Sequence, residues 1–200
     1  MIDTLLKNRA KAQRSIILDK LALNGHKYAL LTLHRPVNVD DQQVLRHILD
    51  VIGFILKEMP VIFPVHPRTR KNLYSAALGK RVDNMAAGSS KAGSQLRLME
   101  PLGYLDFLRL MTSAAVVLTD SGGIQEETTI LKVPCLTLRE NTERPATVKY
   151  GFNRVVGTDP QRIIAAYKET VDSKSRRFLT PPLWDGQAAR RIVDVLTNKA

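Results

Sequence analysis

The stretch Thr119-Asp120-Ser121-Gly122-Gly123-Ile124-Gln125-Glu126-Glu127 decides the fold. It follows the apolar run Ala115-Val116-Val117-Leu118-Thr119 and opens a helical pattern that reaches Leu131, so it reads as a strand-turn-helix junction. Ser121 is a residue type favoured at a helix N-cap, and the paired glycines let a ligand approach the backbone closely. First-turn N–H groups lack intrahelical partners, and the helix dipole is positive there. Such a junction suits an anion, phosphate above all. The bland alternative is a plain helix cap with glycines for tight packing. Glu127 lies four residues after Gly123, one turn into the helix, where a carboxylate reaches a ribose hydroxyl if phosphates sit at the helix start. Glu126 points about 100° away around the helix. For either acid the alternative is a surface charge near a helix N-terminus.

Outward from this junction, short strand-like runs alternate with helical stretches. Tyr28–Leu33, Val61–Val65, Leu96–Met99, Pro134–Leu138 and a weaker Arg154–Val156 read as further strands. Helical spacing is clear in Val44, Ile48, Val51, Ile52 and Ile55, ending before Pro60, and in Tyr104, Phe107, Leu108 and Met111. Helices are also expected near Gln161–Asp172 and Gln187–Asn198, with a short one near Thr69–Leu78. Ala86–Ser94, rich in glycine and serine, is expected to be a mobile loop. This rhythm predicts a Rossmann-like, doubly wound parallel sheet with helices on both faces. Such sheets bind ligands beyond the carboxyl ends of their strands. The segments expected at the ligand are therefore His34-Arg35, His66-Pro67-Arg68, Glu100-Pro101-Leu102, Asp120 to Gly123, and Arg139 to Arg144.

His34 can donate to a phosphate or move a proton, and Arg35 can form a bidentate pair with a carboxylate or phosphate. His66 is analogous at the end of the second strand; His26 and His47 read as bland. Pro145 suits the first position of a helix, and Arg144 before it adds positive charge there, unless it only pairs with Glu143 or Glu140.

Composition narrows the classes. The chain has 200 residues, 44% hydrophobic and 24% charged, as expected of an ordinary globular protein. No apolar run approaches the roughly 18–20 residues of a membrane span. The first residues lack a secretory pattern, so a cytoplasmic location is expected. The single cysteine, Cys135, forms no intrachain disulfide and reads as a small buried apolar residue. A net charge of +11 suggests an anionic partner, with a solvated basic face as the alternative. A nucleic-acid-binding module is disfavoured, because aromatics are 6% and no reading motif is present. Neither a metal-ligand cluster, a Walker loop nor Gly-x-Gly-x-x-Gly occurs, and no metal or cofactor is expected.

Five ordered motifs carry a resemblance: Thr32-Leu33-His34-Arg35-Pro36, Pro64-Val65-His66-Pro67, Glu100-Pro101-Leu102-Gly103-Tyr104-Leu105-Asp106-Phe107, Leu118 to Glu127, and Arg139-Glu140-Asn141-Thr142-Glu143-Arg144-Pro145. Together they resemble the non-hydrolysing UDP-N-acetylglucosamine 2-epimerases. That family has two Rossmann-like domains across a cleft, in the glycosyltransferase-B arrangement, and this chain resembles the C-terminal half. The resemblance implies a crossing segment at residues 1–25 and a UDP-binding domain at 26–200. It implies that Ser121, Gly122 and Gly123 hold the diphosphate, Glu127 the ribose and Arg144 the phosphates. The backbone near Leu102 and the ring of Phe107 receive the uracil, with Arg35 and His66 also at the ligand. His34 matches the family's active-site histidine. The implied reaction interconverts UDP-GlcNAc and UDP-ManNAc, cell-surface polysaccharide precursors, by elimination and re-addition of UDP.

Two departures bear on activity. Val37 stands where many relatives have Glu. The family's acid/base carboxylates belong to the N-terminal domain, so the chain is expected to bind UDP and to lack activity alone. The partners implied are UDP or UDP-N-acetylglucosamine, the missing N-terminal domain or a partner chain, and a homodimer in the full-length form. A UDP-sugar-dependent glycosyltransferase half is the competing reading.

Overall fold

The computed structural model describes residues 1–74, 78–88, 94–151, 153–172 and 179–197. The chain runs through α1 (Ile2–Ala12), α2 (Ile17–Lys20), β1 (Ala29–Thr32), α3 (Pro36–Val39), α4 (Gln42–Ile55), β2 (Val61–Pro64), α5 (Pro67–Leu73) and α6 (Gly79–Ala87). It continues through β3 (Leu96–Met99), α7 (Tyr104–Ser113), β4 (Val116–Thr119), α8 (Gly122–Leu131), β5 (Cys135–Thr137), α9 (Pro145–Tyr150), β6 (Asn153–Val155), α10 (Pro160–Asp172) and α11 (Ala188–Thr197).

The six strands form one parallel sheet in the order β3-β2-β1-β4-β5-β6. That is a doubly wound order with its reversal between β1 and β4. The strands read as near-continuous apolar runs because both faces are covered. Side chains alternate between two cores: Ala29, Leu31, Val116 and Leu118 enter one with α4 and α10, while Leu30 and Val117 enter the other with α1, α2 and α7. The buried Tyr28 ring at the foot of β1 donates its hydroxyl to the Leu110 carbonyl at 2.6 Å. Cys135 is buried in β5, and burial pushes its thiol up to about 12.

Most elements fall where periodicity puts them; the region between β2 and β3 departs most. Its first helix starts at Pro67 and ends at Leu73 instead of spanning Thr69–Leu78. A second helix, α6, was not expected. Its apolar stripe is narrow, with Val82 buried and Met85 against the core, and charged residues conceal the period. Ala86 and Ala87, assigned to a mobile loop, close this helix, and residues 89–93 of that loop lie outside the described residues. Several cations of this basic stretch are ion-paired: Arg68 with Asp40, Arg70 with Glu100 and Arg81 with Asp50.

At the far end, α11 leaves Ile192, Val193, Val195 and Leu196 more than half exposed. No described helix is long and apolar enough to cross a membrane.

Candidate nucleotide-binding site

The β1–β4 register aligns Ala29 with Val116 and Thr32 with Thr119, so both strands end at one level. The Thr32 and Thr119 hydroxyls lie 3.0 Å apart there. Just beyond, the chain after β1 turns to one face and the chain after β4 to the other. His34 and Asp120 meet in the gap.

Asp120 is fully buried and gathers four donor groups. Its Oδ2 accepts from the backbone N–H of His34 (3.1 Å) and Arg35 (2.9 Å) and from Asn38 Nδ2 (3.2 Å). Its Oδ1 faces His34 Nδ1 at 2.9 Å. The Arg35 Nε–H donates to the Asp120 carbonyl at 3.1 Å, and Asn38 also donates to the Leu138 carbonyl at 2.9 Å. Burial alone would raise the Asp120 carboxyl, but the bonds from His34 and the Arg35 amide hold it below its ordinary value. The same bond from Asp120 raises the His34 imidazole against the opposing effect of burial. With Nδ1–H committed to Asp120, Nε2 of the half-exposed ring remains for a ligand. Sequence reasoning placed His34 here and missed the role of Asp120, because their pairing spans 86 residues.

Beside His34 a cavity of about 240 Å³ is lined by Thr32, His34, His66, Leu102, Phe107 and Ile124, among others. Four of the five motifs thus supply one mostly apolar slot edged by two imidazoles. Next to it, α8 begins at Gly122 with Ser121 in the cap position. The Ser121 hydroxyl makes no capping bond, contrary to its expected cap role; the Ser121 N–H donates to Thr119 Oγ1 at 3.0 Å instead. The first-turn amides are left without a side-chain cap, the condition an anion needs.

The two acids of α8 diverge as helical geometry requires. Glu127 is buried and accepts from Tyr104 Oη at 3.1 Å. Burial raises its carboxyl. Glu126 faces Arg144, whose Nε lies 2.8 Å from its Oε1 as an ion pair without aligned hydrogen-bond geometry. Arg144 therefore pairs with neither Glu143 nor Glu140 through their carboxylates. Glu143 instead takes two bonds from Arg139, at 2.7 and 2.9 Å, with Arg35 3.7 Å away. Arg139 holds the Glu143 carboxyl down to about 2. Glu143 Oε2 is also 3.7 Å from where a Cβ on Gly122 would stand, so this exposed carboxylate borders the helix start.

A buried amide network, also missed, ties the turn to the loop before α9. Gln125 Oε1 accepts from Thr142 Oγ1 (2.5 Å) and Asn153 Nδ2 (3.0 Å), and Gln125 Nε2 donates to the Ser121 carbonyl (3.2 Å). Asn153 also donates to Thr147 Oγ1 at 2.8 Å and accepts from Thr137 Oγ1 at 2.5 Å. Its one sequence signal is that Gln125 falls four residues after Ser121, on the inward side with Thr128 and Thr129. Among the described residues, no group of three His, Cys, Asp or Glu side chains could hold a metal ion.

A six-stranded parallel sheet with its switch point between β1 and β4 defines a Rossmann-like domain, one half of a glycosyltransferase-B type fold. The family model described as UDP-N-acetylglucosamine 2-epimerase matches residues 1–197, and the chain belongs to that family. A UDP-N-acetylglucosamine 2-epimerase of Methanocaldococcus jannaschii is 38% identical over 98% of this chain and 52% of its own. One of Escherichia coli K12 is 34% identical over 99% of this chain and 53% of its own. The M. jannaschii enzyme solved in complex with UDP-GlcNAc and UDP superposes with a TM-score of 0.83, covering 98% of this chain and 52% of that one at 38% identity. The chain spans about half the length of the curated relatives it matches. A glycosyltransferase of kitacinnamycin, at 16% identity and a TM-score of 0.51, shares the fold alone.

Proposed function

We propose that this chain is the UDP-binding wall of a UDP-N-acetylglucosamine 2-epimerase. The uncapped start of α8 beside the slot of Leu102 and Phe107 carries the reading. A diphosphate fits the amides of Ser121, Gly122 and Gly123, uracil fits between Leu102 and Phe107, and the ribose hydroxyls reach Glu127. Arg144 joins the phosphates by exchanging Glu126 for them. Arg35 and His66 border the same ligand. Solved relatives in complex with UDP-GlcNAc and UDP support this choice of nucleotide.

In the family's reaction a base takes the proton from C2, and the C1–O bond breaks with its electrons leaving on UDP. UDP then adds back after C2 is reprotonated on the opposite face. This wall holds the leaving group. His34, oriented by Asp120, presents Nε2 where negative charge develops on the departing diphosphate. The groups that act at C2 come from outside these residues, as does the second wall, for which the apolar stripe of α11 is the docking face. Residues 1–25 are the crossing segment, although α1 already packs on α7 and α8. The full-length protein works in the cytoplasm as a homodimer. Family membership favours this reading over a glycosyltransferase half.

Calorimetry with UDP tests the binding claim. Glu127→Ala and Arg144→Ala each weaken it at least roughly tenfold, about 1.4 kcal/mol; absence of binding at millimolar UDP defeats it. Proton NMR of UDP-GlcNAc with an N-terminal half supplied tests the reaction, since C2 inversion is expected and transfer to an acceptor is not. Gly122→Ala separates ligand approach from folding. A methyl there meets only Glu143 Oε2, at 3.7 Å, an ordinary contact. Thermal stability is expected to hold within about 2 °C, while UDP affinity falls roughly tenfold. Unchanged affinity places the diphosphate elsewhere.

A further inference from the structure

The nucleotide site contains one polar side chain that the ribose reading leaves unused. Tyr104 opens α7, directly after the Leu102 segment, and its hydroxyl crosses to α8 to meet Glu127 Oε1 at 3.1 Å. Glu127 is 8% exposed, and no cationic side chain pairs with it among the described residues. A buried carboxylate has about four acceptor positions, and one tyrosine donor leaves most of them empty. Such a group is costly unless donors arrive from a ligand. Two vicinal hydroxyls are the fitting complement, since both donate and neither is charged.

The tyrosine also removes freedom. A glutamate side chain on the second turn of a helix samples several rotamers, and a hydroxyl anchored from another helix selects one. Tyr104 is itself 39% exposed, so it is not sealed in the core.

We propose that Tyr104 is a positioning residue: it pins one oxygen of Glu127 and thereby aims the other at the 2′ and 3′ hydroxyls, making the site select ribo- over 2′-deoxyribonucleoside diphosphates. The proposal rests on the ribose role of Glu127 given above. It assigns Tyr104 no contact with the reacting sugar.

Burial raises the Glu127 carboxyl, and the Tyr104 bond opposes that rise. The hydroxyl of Tyr104 is pushed up to about 12, first by burial and then by the adjacent carboxylate, so it stays a donor at neutral pH.

The test compares UDP with 2′-deoxy-UDP by calorimetry in the wild type, Tyr104→Phe and Glu127→Gln. The wild type is expected to prefer UDP by roughly tenfold, the scale of one hydrogen bond to a charged group. Tyr104→Phe keeps the ring, lowers that preference to roughly threefold or less, and weakens 2′-deoxy-UDP, which retains only the 3′ hydroxyl, by less than it weakens UDP. Equal weakening of both nucleotides, or an undiminished preference, overturns the proposal. If Glu127→Gln keeps the full preference, the ribose role of Glu127 itself fails; if it erases the preference while Tyr104→Phe keeps it, only the role of Tyr104 fails. A ligand-free measurement stands beside this one. In carbon-13 NMR of the Glu127 carboxyl, Tyr104→Phe must raise the titration midpoint, because burial persists and the bond favouring the carboxylate is gone. An unmoved midpoint overturns the proposal even if no nucleotide binds.

Discussion

Asp120→Asn is expected to lower the melting temperature by roughly 6–12 °C in a domain of this size, on a loss of about 3 kcal/mol. The substitution keeps shape and volume and removes only charge and acceptor capacity. Asp120 is fully buried and faces N–H donors from His34, Arg35 and Asn38. An asparagine amide must turn its own NH₂ toward some of them, leaving buried donors unsatisfied. The loss rests on those amide bonds, because the His34 ring is 54% exposed and its ion pair is screened. UDP affinity falls as well, since the ring loses the acceptor that fixes Nδ1.

The pH response of this variant carries the sign of both shifts. His34 is raised in the folded state, so its share of stability is complete below about 6.5 and fades as pH rises through its folded value. Asp120 is lowered, so its share is complete above about 3.9 and fades as pH falls through its folded value. Asp120→Asn flattens both flanks, and the His34 midpoint in proton NMR drops toward the ordinary value. A midpoint that stays raised refutes the pairing.

The second large effect is expected at Gln125. Gln125→Leu preserves a side chain of similar size but strips the acceptor shared by Thr142 and Asn153 and the donor to the Ser121 carbonyl. A loss of about 2–3 kcal/mol follows from the buried polar atoms left unmatched. Gln125 is fully buried and cannot touch a ligand, so rigid geometry predicts no change in binding. The network predicts one, because it holds the α8 turn against the loop carrying Arg144. UDP affinity in Gln125→Leu is expected to fall several-fold alongside a melting shift of roughly 4–12 °C. Intact binding in a destabilised variant would confine the network to folding.

The sheet class and strand-end segments followed from local pattern, since buried parallel strands announce themselves as apolar runs and their carboxyl ends must carry the site. His34, Gly122, Gly123 and Glu127 were legible as candidates for that reason. The helix α6 was not, because one buried valine and one partly buried methionine make too narrow a stripe to stand out among charges. The pairings were not legible either: Asp120 meets His34 across 86 residues, Gln125 meets Asn153 across 28, and Tyr104 meets Glu127 across 23.

Periodicity and turn chemistry in Thr119–Glu127 by themselves determined a strand, a glycine turn and a helix opening at its first amides. Only the tertiary structure decided what surrounds them. Strand register set Asp120 beside His34, and helix-on-helix packing set Tyr104 against Glu127 and Glu126 against Arg144. The reason is physical. Local backbone preference acts over a few residues, whereas a buried charge is satisfied by whichever donors the folded sheet brings within about 3 Å.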